Sequence, residues 1–200
     1  MWYYIKQSII PFVYLIFMAL IAFSIITIQG LIWLKIILLT LNFGLYATLI
    51  SMVAFKEGEE ALKVQLANDL ERREIIRTGE DRPLKLKEEY KVWKGFLQGF
   101  IACVPLIVLI IIHTILLLTV GEGANWAGAA ASFIYMMFTA FIKVDATVPF
   151  AQWNYYFPLI AVPILSCLTG IFYILGAKKI ERQQEKIRQT HRQIYGEDKL

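Results

Sequence analysis

Residues 121–145 read Gly121-Glu-Gly-Ala-Asn-Trp-Ala-Gly-Ala-Ala-Ala-Ser-Phe-Ile-Tyr-Met-Met-Phe-Thr-Ala-Phe-Ile-Lys-Val-Asp145, and 123–142 carry no charge. That uncharged run is long enough, as helix, to cross a bilayer core of roughly 30 Å. Yet its first half is built of small residues, with Ala124/Gly128, Ala127/Ala131 and Gly128/Ser132 each four apart. Small residues at that spacing let another helix approach closely, which suits a segment held against protein more than one facing lipid. Whether this stretch crosses decides the topology of the whole chain.

Four further uncharged stretches surround it: 7–34, 36–55, 95–121 and 146–177. With 58% hydrophobic residues and a mean hydropathy of +0.58, the chain is no ordinary soluble domain. The stretches are continuously apolar, whereas barrel strands alternate over about ten residues. Backbone groups in hydrocarbon must be satisfied within their own segment, so helix is expected throughout. The predicted class is an all-α, polytopic helical membrane protein. Lys6 precedes the first stretch, but that run is too long for a signal-peptide core and no Ala-x-Ala site closes it. It reads as a retained first span.

Basic residues settle the threading. Of 20 Lys and Arg, ten lie in 56–94 and seven in 178–199; Lys6, Lys35 and Lys143 are the others. Five spans with a cytoplasmic N-terminus place twelve of them inside and eight outside. If 121–157 does not cross, eighteen are inside and only Lys35 and Lys143 outside. The positive-inside rule favours the second arrangement. The expectation is four transmembrane helices plus a re-entrant or outer-leaflet element, in the inner (cytoplasmic) cell membrane with both termini cytoplasmic. Five transmembrane helices is the alternative.

This divides the chain into an N-terminal transmembrane hairpin (1–55), a cytoplasmic helix–turn–helix (56–94), a C-terminal membrane region (95–177) containing the 121–157 element, and a basic cytoplasmic tail (178–200). Within 56–94, Leu62, Leu66 and Leu70 form a stripe at helical spacing, flanked by Ala67, Ile75 and Ile76. Residues 78–83 carry stop and turn chemistry, and a second helix is expected from Leu84 through Tyr90 and Trp93. The stripe is a candidate partner face, though it can also lie on lipid or pack on its neighbour. In the tail, Ile180, Ile187 and Ile194 recur every seven residues, a stripe too narrow for a coiled coil and suited to a surface helix. Gly95, Gly99, Gly128 and Ser132 are candidate helix-packing positions.

Polar groups inside the membrane are candidates for function. Asn42 and His113 fall about 18 Å and 12 Å from the outer ends of their spans, at 1.5 Å per residue. Glu122, Lys143 and Asp145 would sit at the outer mouth, completing an outward-facing polar site. The plainer reading gives Asn42 and His113 one interhelical hydrogen bond each and leaves the other three in surface ion pairs. Cys103 and Cys167 lie in apolar runs and read as small fillers. No phosphate-binding loop, H-E-x-x-H, G-x-S-x-G or C-x-x-C motif occurs, and the two histidines preclude a multi-histidine metal site. Neither an enzyme nor a cofactor is expected.

The net charge of +4 does not indicate nucleic-acid binding, because 56–94 holds ten acidic residues against its ten basic ones. The tail's excess of seven basic over four acidic residues suits anionic headgroups. The expected function is a non-enzymatic membrane subunit or scaffold that engages protein partners or anionic lipid through its cytoplasmic helices. Its surroundings would be the bilayer and other membrane subunits or copies of itself. A small oligomeric transporter or channel component is the alternative.

Overall fold

The computed structural model describes residues 2–28, 31–79, 90–121, 125–141 and 155–195, and the regular structure among them is entirely helical. The elements are α1 (Trp2–Thr27), α2 (Ile32–Thr78), α3 (Trp93–Ala102), α4 (Val104–Thr119), α5 (Trp126–Ile134) and α6 (Met136–Thr139). A 3-10 turn (Phe157–Ile160) then leads into α7 (Ala161–Tyr195). Ile9–Thr27, Ile32–Thr78 and Phe157–Ile194 are long and apolar enough to cross a membrane. The pair α3 and α4, bent by 45°, makes a fourth if it is one span.

Two helices are much longer than a span. The 47 residues of α2 extend about 70 Å, more than twice a bilayer core. The polar segment starting at Lys56 therefore continues span two instead of starting a new helix. Strong helix formers such as Glu59, Glu60, Ala61 and Leu62 carry it past the charge boundary. The helix stops where expected: Gly79 adopts φ 70° and its N–H bonds the Ile75 carbonyl at 2.9 Å. Residues 80–83 of the predicted turn and the helix start at Leu84 lie outside the described residues, as does the Gln29-Gly30 turn. The expected run of the helix from Leu84 through Tyr90 is not met, because Tyr90 and Lys91 are not helical and α3 begins only at Trp93. Likewise α7 runs on without a break through Lys178-Lys179 to Tyr195, so the basic tail is the second half of the last spanning helix.

The pairing of α2 with α7 is the most extensive in the molecule, followed by α3 with α7. Glycines bring these backbones together. A Cβ on Gly58 would collide with the Tyr173 carbonyl, and one on Gly176 would collide with the Phe55 carbonyl. The contact is thus reciprocal, with each helix offering a glycine to a carbonyl of the other. On α3, Gly95 faces the Tyr173 side chain, and Gly99 faces Leu165, Ser166 and Thr169. Thr169 donates its hydroxyl to the Gly95 carbonyl at 2.8 Å while also contacting its own Leu165 carbonyl at 2.8 Å. Gly95 and Gly99 therefore serve a crossing within the chain.

The bend between α3 and α4 has a local cause. Pro105 has no N–H to give Ile101. Tyr135, from the α5–α6 junction, donates its hydroxyl to the Ala102 carbonyl at 2.9 Å and faces the Leu106 N–H. A side chain placed between an i carbonyl and its i+4 amide is a recognised cause of kinks. Tyr135 is fully buried in the main core with Leu15, Tyr46, Cys103 and Leu106. A second cluster joins Met136 and Ala140 to Ala19, Ala22, Ile25 and Leu39. The nine residues of α5 reach only about 13 Å, less than half a bilayer core.

Candidate functional site

His113 is completely buried on α4. It faces Gly128, where an added Cβ would stand 2.9 Å from Nδ1 and 2.8 Å from the Tyr155 ring. The absence of a side chain at Gly128 is what lets α5 lie against the imidazole. Tyr155 and Tyr156 complete the enclosure, with ring centroids 4.9 Å and 5.7 Å away. Neither imidazole nitrogen has a hydrogen-bond partner among the described residues. The Tyr156 hydroxyl instead pairs with Thr114 Oγ1 at 3.2 Å. Nearby, Ser132 is buried and its hydroxyl has no partner among the described residues, while its carbonyl accepts from Thr139 at 3.3 Å.

Asn42 is equally buried but belongs to a different interface. Its Nδ2 donates to the Met18 carbonyl at 3.0 Å across the α1–α2 hairpin, and Oδ1 has no partner among the described residues. Asn42 thus serves the α1–α2 contact and His113 the α4–α5 contact, each with its own partners. Glu122, Lys143 and Asp145 lie outside the described residues. Lys35 reaches back from α2 to the Ile26 carbonyl at 2.9 Å, satisfying one of the free carbonyls that end α1.

Outside the apolar stretches, α2 and α7 run on together. Lys179 forms an ion pair with Glu59 and lies 5.3 Å above the Phe55 ring. Tyr90 stacks on Tyr173 at 5.4 Å with the rings 10° apart. Burial pushes the Tyr90 phenol above its ordinary pKa, and the Glu181 carboxylate adds to that. The leucine stripe divides along its length. Leu62 and Leu66 line a groove shared with Tyr90, Val92, Ile174 and Ala177. Leu70 and Ile76 are 67% and 82% exposed. The isoleucine stripe on α7 divides the same way: Ile180 is buried, whereas Ile187 and Ile194 are 61% and 66% exposed.

Sequence reasoning located these stripes and the small residues on α5. It missed Tyr135, Tyr155 and Tyr156 as the groups that close over the α4 helix, since each meets α4 only through the folded path of the chain. Among the described residues no three His, Cys, Asp or Glu side chains converge as a metal site would require. No protein-family model, curated protein or solved structure matches the chain.

Proposed function

We propose that this chain is a non-enzymatic membrane subunit whose α2 and α7 extensions form a two-helix cytoplasmic stalk that docks a protein partner. Four spans carry it: α1, the first half of α2, the bent α3–α4 pair and the first half of α7. Both termini face the cytoplasm, and 121–157 enters and leaves on the outer face. Eighteen basic residues inside against two outside support this threading. So does the shortness of α5, just beyond whose far end Tyr135 meets the bent α3–α4 pair partway along, at Ala102.

The observation carrying the docking role is the exposure of Leu70, Ile76, Ile187 and Ile194. Counted from Phe55 and Ala177, where the uncharged stretches end, these side chains stand about 22, 31, 15 and 25 Å along their helices. Most of them are too far out for hydrocarbon to cover. An amphipathic helix laid into a groove is a common partner for such a face, and charges of both signs flank it here.

Capture of the full-length chain from its native membrane in mild detergent, with mass spectrometry, tests this. Changing Leu70, Ile76, Ile187 and Ile194 together to Ser is expected to cut partner recovery more than tenfold while the chain still inserts. His113→Leu is expected to leave recovery unchanged. Full recovery with the serine variant contradicts the docking role. The second reading, a small oligomeric transporter component with an outward-facing polar site, draws on the unpartnered nitrogens of buried His113. On that reading His113→Leu abolishes transport with assembly intact.

A further inference from the structure

We infer that the cleft between α2 and α7 at the basic end of the spans binds one anionic phospholipid. Gly58 against the Tyr173 carbonyl and Gly176 against the Phe55 carbonyl pin the helices together, and a cleft lies beside these contacts. This cleft, about 580 Å³, has Ser51, Met52 and Phe55 on one wall and Leu168 and Phe172 on the other. Its walls are mostly apolar, since Thr48 spends its hydroxyl on the Gly44 carbonyl at 2.8 Å, and its charged lining is Lys56 and the paired Glu59 and Lys179. Met52 is 58% exposed and leaves the side open to lipid. Its depth matches acyl chains, since uncharged sequence ends at Phe55 on α2 and Ala177 on α7.

A second cavity of about 480 Å³ adjoins it, and the two share Phe55 and Lys179. Phe55 and Leu175 line its apolar side, and Lys178, Lys179, Arg182 and Lys186 surround it with no carboxylate. Lys179 already faces Glu59 at the junction between the cavities, which leaves Lys178, Arg182 and Lys186 in the second cavity for a headgroup. Lys178, Arg182 and Lys186 follow at i, i+4 and i+8 along α7, while Glu181 and Glu185, three residues beyond Lys178 and Arg182, line the neighbouring groove with Lys178. An anion seated in the second cavity meets four basic residues and no carboxylate of its lining. Such residues beside a span attract anionic headgroups, and a phosphate diester joined to an acyl chain fits both cavities at once. A free anion would use the second cavity alone, and a neutral lipid the first alone. The site stands independently of the docking stalk, because none of its residues belongs to the exposed stripes.

The test uses the full chain purified in detergent, stripped of lipid, then offered phosphatidylglycerol or phosphatidylcholine, with retained lipid read by native mass spectrometry. One phosphatidylglycerol per chain is expected, held at least tenfold more tightly than phosphatidylcholine and not displaced by equimolar glycerol 3-phosphate. Changing Lys178, Arg182 and Lys186 together to Gln is expected to erase the preference. Ala47→Phe, which narrows the cleft without altering charge, is expected to weaken binding at least fivefold; Met52→Trp serves the same purpose if Ala47→Phe fails to fold. Equal retention of the two lipids overturns the proposal. So does displacement by glycerol 3-phosphate, or loss in the charge variant with both cleft variants unaffected, because each means the charge alone is recognised.

Discussion

Gly176→Leu is expected to lower the stability of the helical bundle by about 3 kcal/mol or more, the upper range for forcing bulk into a packed interface. The reason is geometric. The space a Cβ would need at Gly176 is filled by the Phe55 carbonyl, and at Gly58 by the Tyr173 carbonyl. Backbone on both sides means that no side chain can swing away, so α2 and α7 must separate. Separation also strains the neighbouring α3–α7 crossing, where Tyr173 packs on Gly95. Gly58→Leu is expected to cost a similar amount. The double change should cost clearly less than the sum, since both break one crossing. Gly44 provides the contrast: nothing lies within 4 Å of its Cβ position, and the residue is exposed on the same helix. Gly44→Leu is expected to be neutral or slightly stabilising. Unfolding in mixed micelles by a denaturing detergent measures all four.

Tyr135→Phe is expected to cost about 1–2 kcal/mol, the penalty for leaving a buried acceptor unpaired. It removes the hydroxyl that serves the Ala102 carbonyl while keeping the ring in the core. Water is scarce at that depth, so the carbonyl has few other partners. If Tyr135 stands in for a missing helical bond, restoring the helix should make it dispensable. In a Pro105→Ala background, where loss of the ring lets the helix straighten and bring the Leu106 N–H onto the Ala102 carbonyl, the cost of Tyr135→Phe is expected to fall by half or more. A cycle of the two single variants and the double, on the same unfolding assay, reads the coupling. Equal costs in the two backgrounds would show that Tyr135 does not compensate for the break.

The broad architecture was legible because charge is excluded from hydrocarbon, so Lys56, Lys94 and Lys178 mark where apolar helix gives way to polar chain. The same marks misplace the helix ends. A helix has no reason to stop where its solvent changes, and α2 and α7 run on until Gly79 and past His191. The division at residue 55 therefore falls inside a single element. The small residues of α5 announced close packing, and Gly128 indeed lies against His113. That Asn42 would donate to the Met18 carbonyl was not legible, because depth along a helix says nothing of which neighbour it meets. Gly58 and Gly176 gave no signal at all, each being an isolated glycine in a separate helix.

The stalk requires the second halves of α2 and α7 to emerge together on the cytoplasmic side while 121–157 opens outward. Labelling with a membrane-impermeant maleimide tests this most directly, using Lys143→Cys and Ile187→Cys separately in a chain whose Cys103 and Cys167 are replaced by Ala. The Lys143→Cys chain is expected to label in intact cells, and the Ile187→Cys chain only once the membrane is permeabilised. Labelling of the Ile187→Cys chain in intact cells, or protection of the Lys143→Cys chain until permeabilisation, would contradict the four-span stalk.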